Sequence, residues 1–157
     1  MKLFFLSIIL LVAQSVLAQN LMEERIWKVS PRKKSIFLDS GVFHHNTPAS
    51  ANSSISGVRS SSAAGQGYER IVVDFSGSSI PKLYGHISAN DKKISIDFFD
   101  TAVGTAQPQL KSSKHIKNID FISVDGKAIT MELSLKSKSS FDVFYLEKPG
   151  RLVIDIR

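Results

Sequence analysis

From Tyr68 to the C-terminus, apolar and polar positions alternate with a period of two. Ile71, Val73 and Phe75 fall on one side of the pattern, and Arg70, Val72 and Asp74 on the other. The alternation returns at Ile94, Ile96 and Phe98, at Ile129, Met131, Leu133 and Leu135, at Phe141, Val143 and Tyr145, and at Leu152, Ile154 and Ile156. Successive side chains of a strand point to opposite faces, so each run predicts a strand with one apolar face. Turn-forming residues separate the runs: Ser76-Gly77-Ser78, Asn90-Asp91, Asp125-Gly126 and Pro149-Gly150. Asp125-Gly126 between two strand-like runs signals a hairpin. Val103 to Lys117, containing Gly104 and Pro108, predicts one long irregular connection with room for a short helix. Short strands at regular spacing predict an all-β sandwich or barrel in which helix is nowhere required.

The pattern also repeats on a longer scale. Arg70-Ile71-Val72-Val73-Asp74-Phe75 recurs as Lys93-Ile94-Ser95-Ile96-Asp97-Phe98 and as Arg151-Leu152-Val153-Ile154-Asp155-Ile156, with a weaker copy at Ala128-Ile129-Thr130-Met131-Glu132-Leu133. Asp74 and Asp97 stand 23 positions apart, as do Glu132 and Asp155; the two halves are offset by 58, from Asp74 to Glu132 and from Asp97 to Asp155. One three-strand unit therefore occurs twice, with middle strands near Leu83-Tyr84 and Phe141-Val143. A single unit cannot bury its apolar face alone. Two packed face to face can, which predicts a pseudo-symmetric β-sandwich from two duplicated three-strand units.

Glu69-Arg70-Ile71-Val72-Val73-Asp74-Phe75-Ser76-Gly77, with Leu146-Glu147-Lys148-Pro149-Gly150-Arg151-Leu152-Val153-Ile154-Asp155 at the C-terminus, resembles the AMIN domain. That family precedes the catalytic part of periplasmic N-acetylmuramoyl-L-alanine amidases and occurs in type IV pilus secretins. The resemblance spans residues 68–157 and implies a two-sheet sandwich that targets peptidoglycan. Asn90-Asp91-Lys92 stands where the family favours a proline, and Ala128 where it often has arginine.

The first 18 residues read as an exported leader. Lys2 precedes the apolar run Leu3–Val12, and Ser15-Val16-Leu17-Ala18 forms a cleavage site, so a mature N-terminus at Gln19 in the periplasm is expected. The run is too short to span a bilayer, which needs about 20 apolar residues, so membrane contact is expected only transiently, through the leader. Residues 19–46 read as an N-terminal arm, with a basic cluster at Arg32, Lys33 and Lys34. Within it Ile36-Phe37-Leu38 reads as a short strand, and Trp27 with Ile26 and Val29 as a patch that packs on the domain. Residues 47–67, rich in Ser, Ala, Gly and Asn, read as a flexible linker.

Composition narrows the chemistry. The chain has no cysteine, which excludes disulfides, lipid attachment to cysteine, thiolate metal sites and a cysteine nucleophile. Its formal net charge is +6, a balance that favours anionic glycans, wall polymers or lipid headgroups; export argues against nucleic acid. His44-His45 are strand neighbours facing opposite ways, and no zinc-binding pattern is present. No cofactor and no enzymatic activity are expected.

The recurring cation-x-x-x-acid spacing sets Arg70 with Asp74, Lys93 with Asp97, and Arg151 with Asp155 on the face opposite the core. Two readings stand: a polar surface for glycan hydroxyls and peptide carboxylates, or cross-strand ion pairs. Phe99 and Phe144 share that non-core face, and Tyr68 and Tyr84 are further aromatics able to stack on sugars. Phe99 and Phe144 either form a contact patch or lie under the arm. A peptidoglycan-binding module and an assembly module of a secretion or pilus complex, with envelope proteins as partners, are the two functional expectations.

Overall fold

The computed structural model describes residues 25–31, 35–46, 53–62, 65–104, 113–124 and 128–157. The leader, the basic cluster Arg32–Lys34, the Asp125-Gly126 turn and the middle of the Val103–Lys117 connection lie outside these residues. The described chain is all-β: β1 (Ile26–Lys28), β2 (Ser40–His45), β3 (Ser53–Ser62), β4 (Glu69–Phe75), β5 (Leu83–Ser88), β6 (Lys93–Phe99), β7 (Thr101–Val103), β8 (Ile116–Val124), β9 (Ala128–Leu135), β10 (Phe141–Leu146) and β11 (Arg151–Ile156). They form a six-stranded sheet in the order β1-β2-β5-β6-β9-β8 and a five-stranded sheet in the order β10-β11-β4-β3-β7.

The two sheets pack as a β-sandwich, and the alternation read from the sequence explains how. Ile71, Val73 and Phe75 of the five-stranded sheet and Ile94, Ile96 and Phe98 of the six-stranded sheet are buried in one shared core. Phe75 and Phe98 meet edge to face across it, ring centroids 5.5 Å apart, an arrangement aromatic pairs favour. Met131, Leu133, Phe141, Leu152, Ile154 and Ile156 complete the same layer.

The duplication is present in the register. Leu83 pairs with Phe98 in the β5–β6 hairpin, and Phe141 with Ile156 in the β10–β11 hairpin; the second pair is the first moved by 58 positions. The units do not, however, pack as two intact layers. β4 leaves its own hairpin to pair with β11 (Val73 with Leu152), and β9 pairs with β6 (Met131 with Ile96). Each sheet therefore holds strands of both repeats. The connections explain the exchange. The hairpin strands stay neighbours across short turns, residues 89–92 and 147–150, whereas residues 76–82 and 136–140 arch from one sheet to the other. The repeat is also longer than three strands. β3 precedes β4 as β8 precedes β9, each pair antiparallel and each irregular near its start, between Ile55 and Gly57 and between Ile116 and Asn118.

β3 corrects the linker expectation for residues 47–67 over positions 53–62, while 47–52 and 63–64 lie outside the described residues. It is a ten-residue strand held between β4 and β7, and it buries Ile55 and Val58 in the core. The register shift after Ile55 breaks the two-residue period, so its core positions stand three apart and the alternation is hidden. Hydrogen bonds to both neighbours hold a sequence poor in large side chains. Ser56 Oγ adds one by donating to the Asp74 carbonyl at 3.1 Å.

The arm belongs to the sandwich rather than lying on it. β2 pairs with β5, and Phe43 places its ring over Gly85, where a Cβ would collide with it. Val29 is buried and Trp27 packs against Phe43 at 5.5 Å, but Ile26 is 73% exposed. Of Ile36-Phe37-Leu38 only Leu38 makes a strand-like contact. It exchanges two backbone hydrogen bonds of 2.8 Å with Phe141, and Pro31 bridges Tyr145, so the arm covers the free edge of β10.

Candidate functional site

The eight candidate residues divide between the two outer faces, because the strand exchange sends equivalent positions to opposite sheets. Arg70, Asp74, Arg151, Asp155 and Phe144 lie on the five-stranded sheet; Lys93, Asp97 and Phe99 lie on the six-stranded sheet. They do not form one site.

On the five-stranded sheet the polar groups are turned inward on each other. Asp155 is 0% exposed and receives two hydrogen bonds from Arg70, at 2.6 and 2.8 Å. The hydrogen bonds from its guanidinium to Asp155 push the Arg70 pKa up. The guanidinium also lies 5.2 Å from the Tyr68 ring centroid and 5.5 Å from that of Phe144. Asp142, also buried, sits opposite Asp155 across the strands. Asp74 is bound by Arg59 at 2.8 and 3.0 Å, and that hydrogen-bonded pair raises the Arg59 pKa. Arg151 faces Asp74 in register, but both carboxylate oxygens are taken; its Nε is buried without a hydrogen-bond partner among the described residues. The ion-pair reading of the recurring motif therefore fits this face. Phe144 is 4% exposed and shares a groove with Ile36 and Leu38 of the arm.

The six-stranded sheet presents a different surface. Strand registers align Lys28, His44, Tyr84, Asp97, Thr130 and Ile122 in one row across all six strands. A neighbouring row holds Ile26, Val42, His86, Ser95, Glu132 and Asp120. Tyr84 stands out of the first row, 45% exposed. Beside it a hollow of about 360 Å³ is lined by Ile26, Val42, His44, Lys82 and Phe99, with Lys82 Nζ 5.2 Å from the Phe99 ring centroid. Thr130 donates to Asp97 at 2.6 Å, and Lys93 pairs with Glu132 at 2.9 Å.

The repeat is not exact around Asp97. Asp97 is the repeat counterpart of Asp155, and Ala128 that of Arg70. Arg70 lies directly opposite Asp155. The β6–β9 register is shifted by two, so Asp97 lies opposite Thr130, accepts its hydroxyl and stays partly open to solvent, while Ala128 lies opposite Phe99. Sequence reading found Tyr84, Asp97 and Phe99 but missed their neighbours His44, Ile26 and Thr130. Those come from strands whose pairing no local pattern encodes.

His44 and His45 alternate as strand neighbours must. His44 faces out, while His45 is buried with its ring 5.0 Å from that of Tyr145, linking the two sheets. Burial foremost, then Lys28, pushes the His45 pKa below its ordinary 6.5. Glu69 is likewise buried and accepts from Ser113 Oγ and the backbone N–H groups of Lys114 and His115 at 2.9–3.0 Å, which holds the entry to β8. Among the described residues no cluster of three or more His, Asp or Glu is placed to hold a metal ion. Comparison with family models, with curated proteins and with solved structures gives no match to this chain.

Proposed function

We propose that this protein is a non-catalytic, exported module of the cell envelope that binds peptidoglycan through the outer face of its six-stranded sheet. The observation that carries this reading is the row Lys28-His44-Tyr84-Asp97-Thr130, in which an exposed aromatic ring stands among hydrogen-bonding groups on an open sheet. A sugar ring stacks its apolar face on an aromatic side chain, while flanking polar groups hold its hydroxyls. The AMIN-like sequence pattern over residues 68–157 and the leader-like first 18 residues support the same reading, with periplasmic location, no cofactor and no catalytic centre.

Co-sedimentation of residues 19–157 with isolated peptidoglycan tests it; that span contains every described strand. Binding that weakens about tenfold in Tyr84→Ala, declines with salt, and persists in Arg151→Ala supports this face. A folded protein left in the supernatant at every salt concentration sinks the reading. The second reading, an assembly module of a secretion or pilus complex, draws on β8, an edge strand that leaves Ile122 and Val124 exposed. It predicts crosslinks from β8 to an envelope protein, with little wall affinity.

A further inference from the structure

The most exposed large apolar side chains among the described residues are Ile26, at 73%, and Ile36, at 58%. Both line one groove of about 540 Å³, between residues 25–30 and 35–38 of the arm and strand β10. Trp27, Leu38, Val143 and Phe144 form its apolar interior, and Arg25 and Lys28 stand along it. Asp142, the groove's acid, is buried near the Arg70 guanidinium, whose charge it helps offset. The sequence from residue 25 to residue 38 carries five cations, Arg25, Lys28, Arg32, Lys33 and Lys34, and no acid, against a net charge of +6 for the whole chain.

Isolated exposed isoleucines are unremarkable, but two flanking one apolar groove within the most basic stretch of the chain form a definite chemical pattern. It matches the boundary of an anionic bilayer, where apolar side chains enter the acyl region and cations meet the headgroups. An acidic protein would answer the cations alone, whereas the two exposed isoleucines on the rim of the groove also call for an apolar phase beside the anionic one. We infer that this groove edge is a docking surface for an anionic lipid bilayer, reached through Ile26 and Ile36 and held by Arg25 and Lys28. It goes beyond the wall-binding reading: it shares Lys28 and Ile26 with the surface around Tyr84, but adds Arg25 and Ile36, which that surface does not contain.

Residues 19–157, which lack the apolar leader, are sedimented with vesicles of phosphatidylcholine alone and of phosphatidylcholine mixed with phosphatidylglycerol. The expected result is binding to the mixed vesicles only, about fivefold weaker in Arg25→Gln and lost in Ile36→Ser, while Tyr84→Ala binds like the parent. Both arm side chains are exposed, and an unchanged unfolding midpoint establishes that the variants remain folded. Absence of binding to mixed vesicles, equal binding to both compositions, or Ile36→Ser binding like the parent overturns the inference. Peptidoglycan binding measured on the same Ile36→Ser protein is expected to be unchanged, so the wall and lipid readings fail separately.

Discussion

Arg70 and Arg59 each grip an aspartate with two hydrogen bonds, yet their surroundings differ. Asp155 beside Arg70 is wholly buried, whereas the Arg59 side chain is 57% exposed. Removing one partner of a buried pair leaves the other charged and dry, at a cost of about 3–5 kcal/mol, while an exposed pair contributes about 0–1 kcal/mol. Arg70→Ala is therefore expected to lower the urea midpoint severely and Arg59→Ala only slightly. A small effect of Arg70→Ala would show that Asp155 finds another partner. His45 provides the pH dependence. Its folded pKa lies below the unfolded 6.5, so the unfolded chain binds the extra proton first as pH falls. This contribution to stability is intact above 6.5, declines as pH drops below it, and levels off beneath the folded value. Lys28 and His44 oppose the imidazolium, Glu147 favours it, and Tyr145 packs on the ring. Unfolding midpoints at pH 8 and pH 5 should converge in His45→Phe relative to the parent.

At the scale of elements, β3 separates a linker from a structural strand. Ile55 is 1% and Val58 3% exposed. Ile55→Ala should destabilise the protein by about 2–5 kcal/mol, the usual range for opening a cavity in a core, whereas the same change in a true linker would not register. Equilibrium urea unfolding distinguishes the two. The strand escaped sequence reading for a definite reason. Composition measures how much apolar surface a segment can bury, but β3 is held largely by its neighbours' backbone groups. Its register shift also moves the two core residues out of the alternation on which recognition depends.

For the whole molecule, the segment with clear strand pattern, residues 68–157, is not a complete folding unit. Val29, Phe43, Ile55 and Val58 all enter the shared core from before it, and β2 supplies the ring that fills the space above Gly85. A chain truncated to residues 68–157 is expected to lose cooperative thermal unfolding, while residues 19–157 retain it; equal transitions would show that the arm and β3 are dispensable. The all-β class, the inward faces of β4, β6, β9, β10 and β11 and the 58-residue repeat were determined by the sequence alone. Side-chain alternation and spacing are local properties that survive in one dimension. The exchange of strands between repeats, the closure of Arg70 onto Asp155 and the alignment of His44 with Tyr84 were decided only in the tertiary structure. Each depends on which strands become neighbours, and that follows from packing two sheets around one core rather than from any single run of residues.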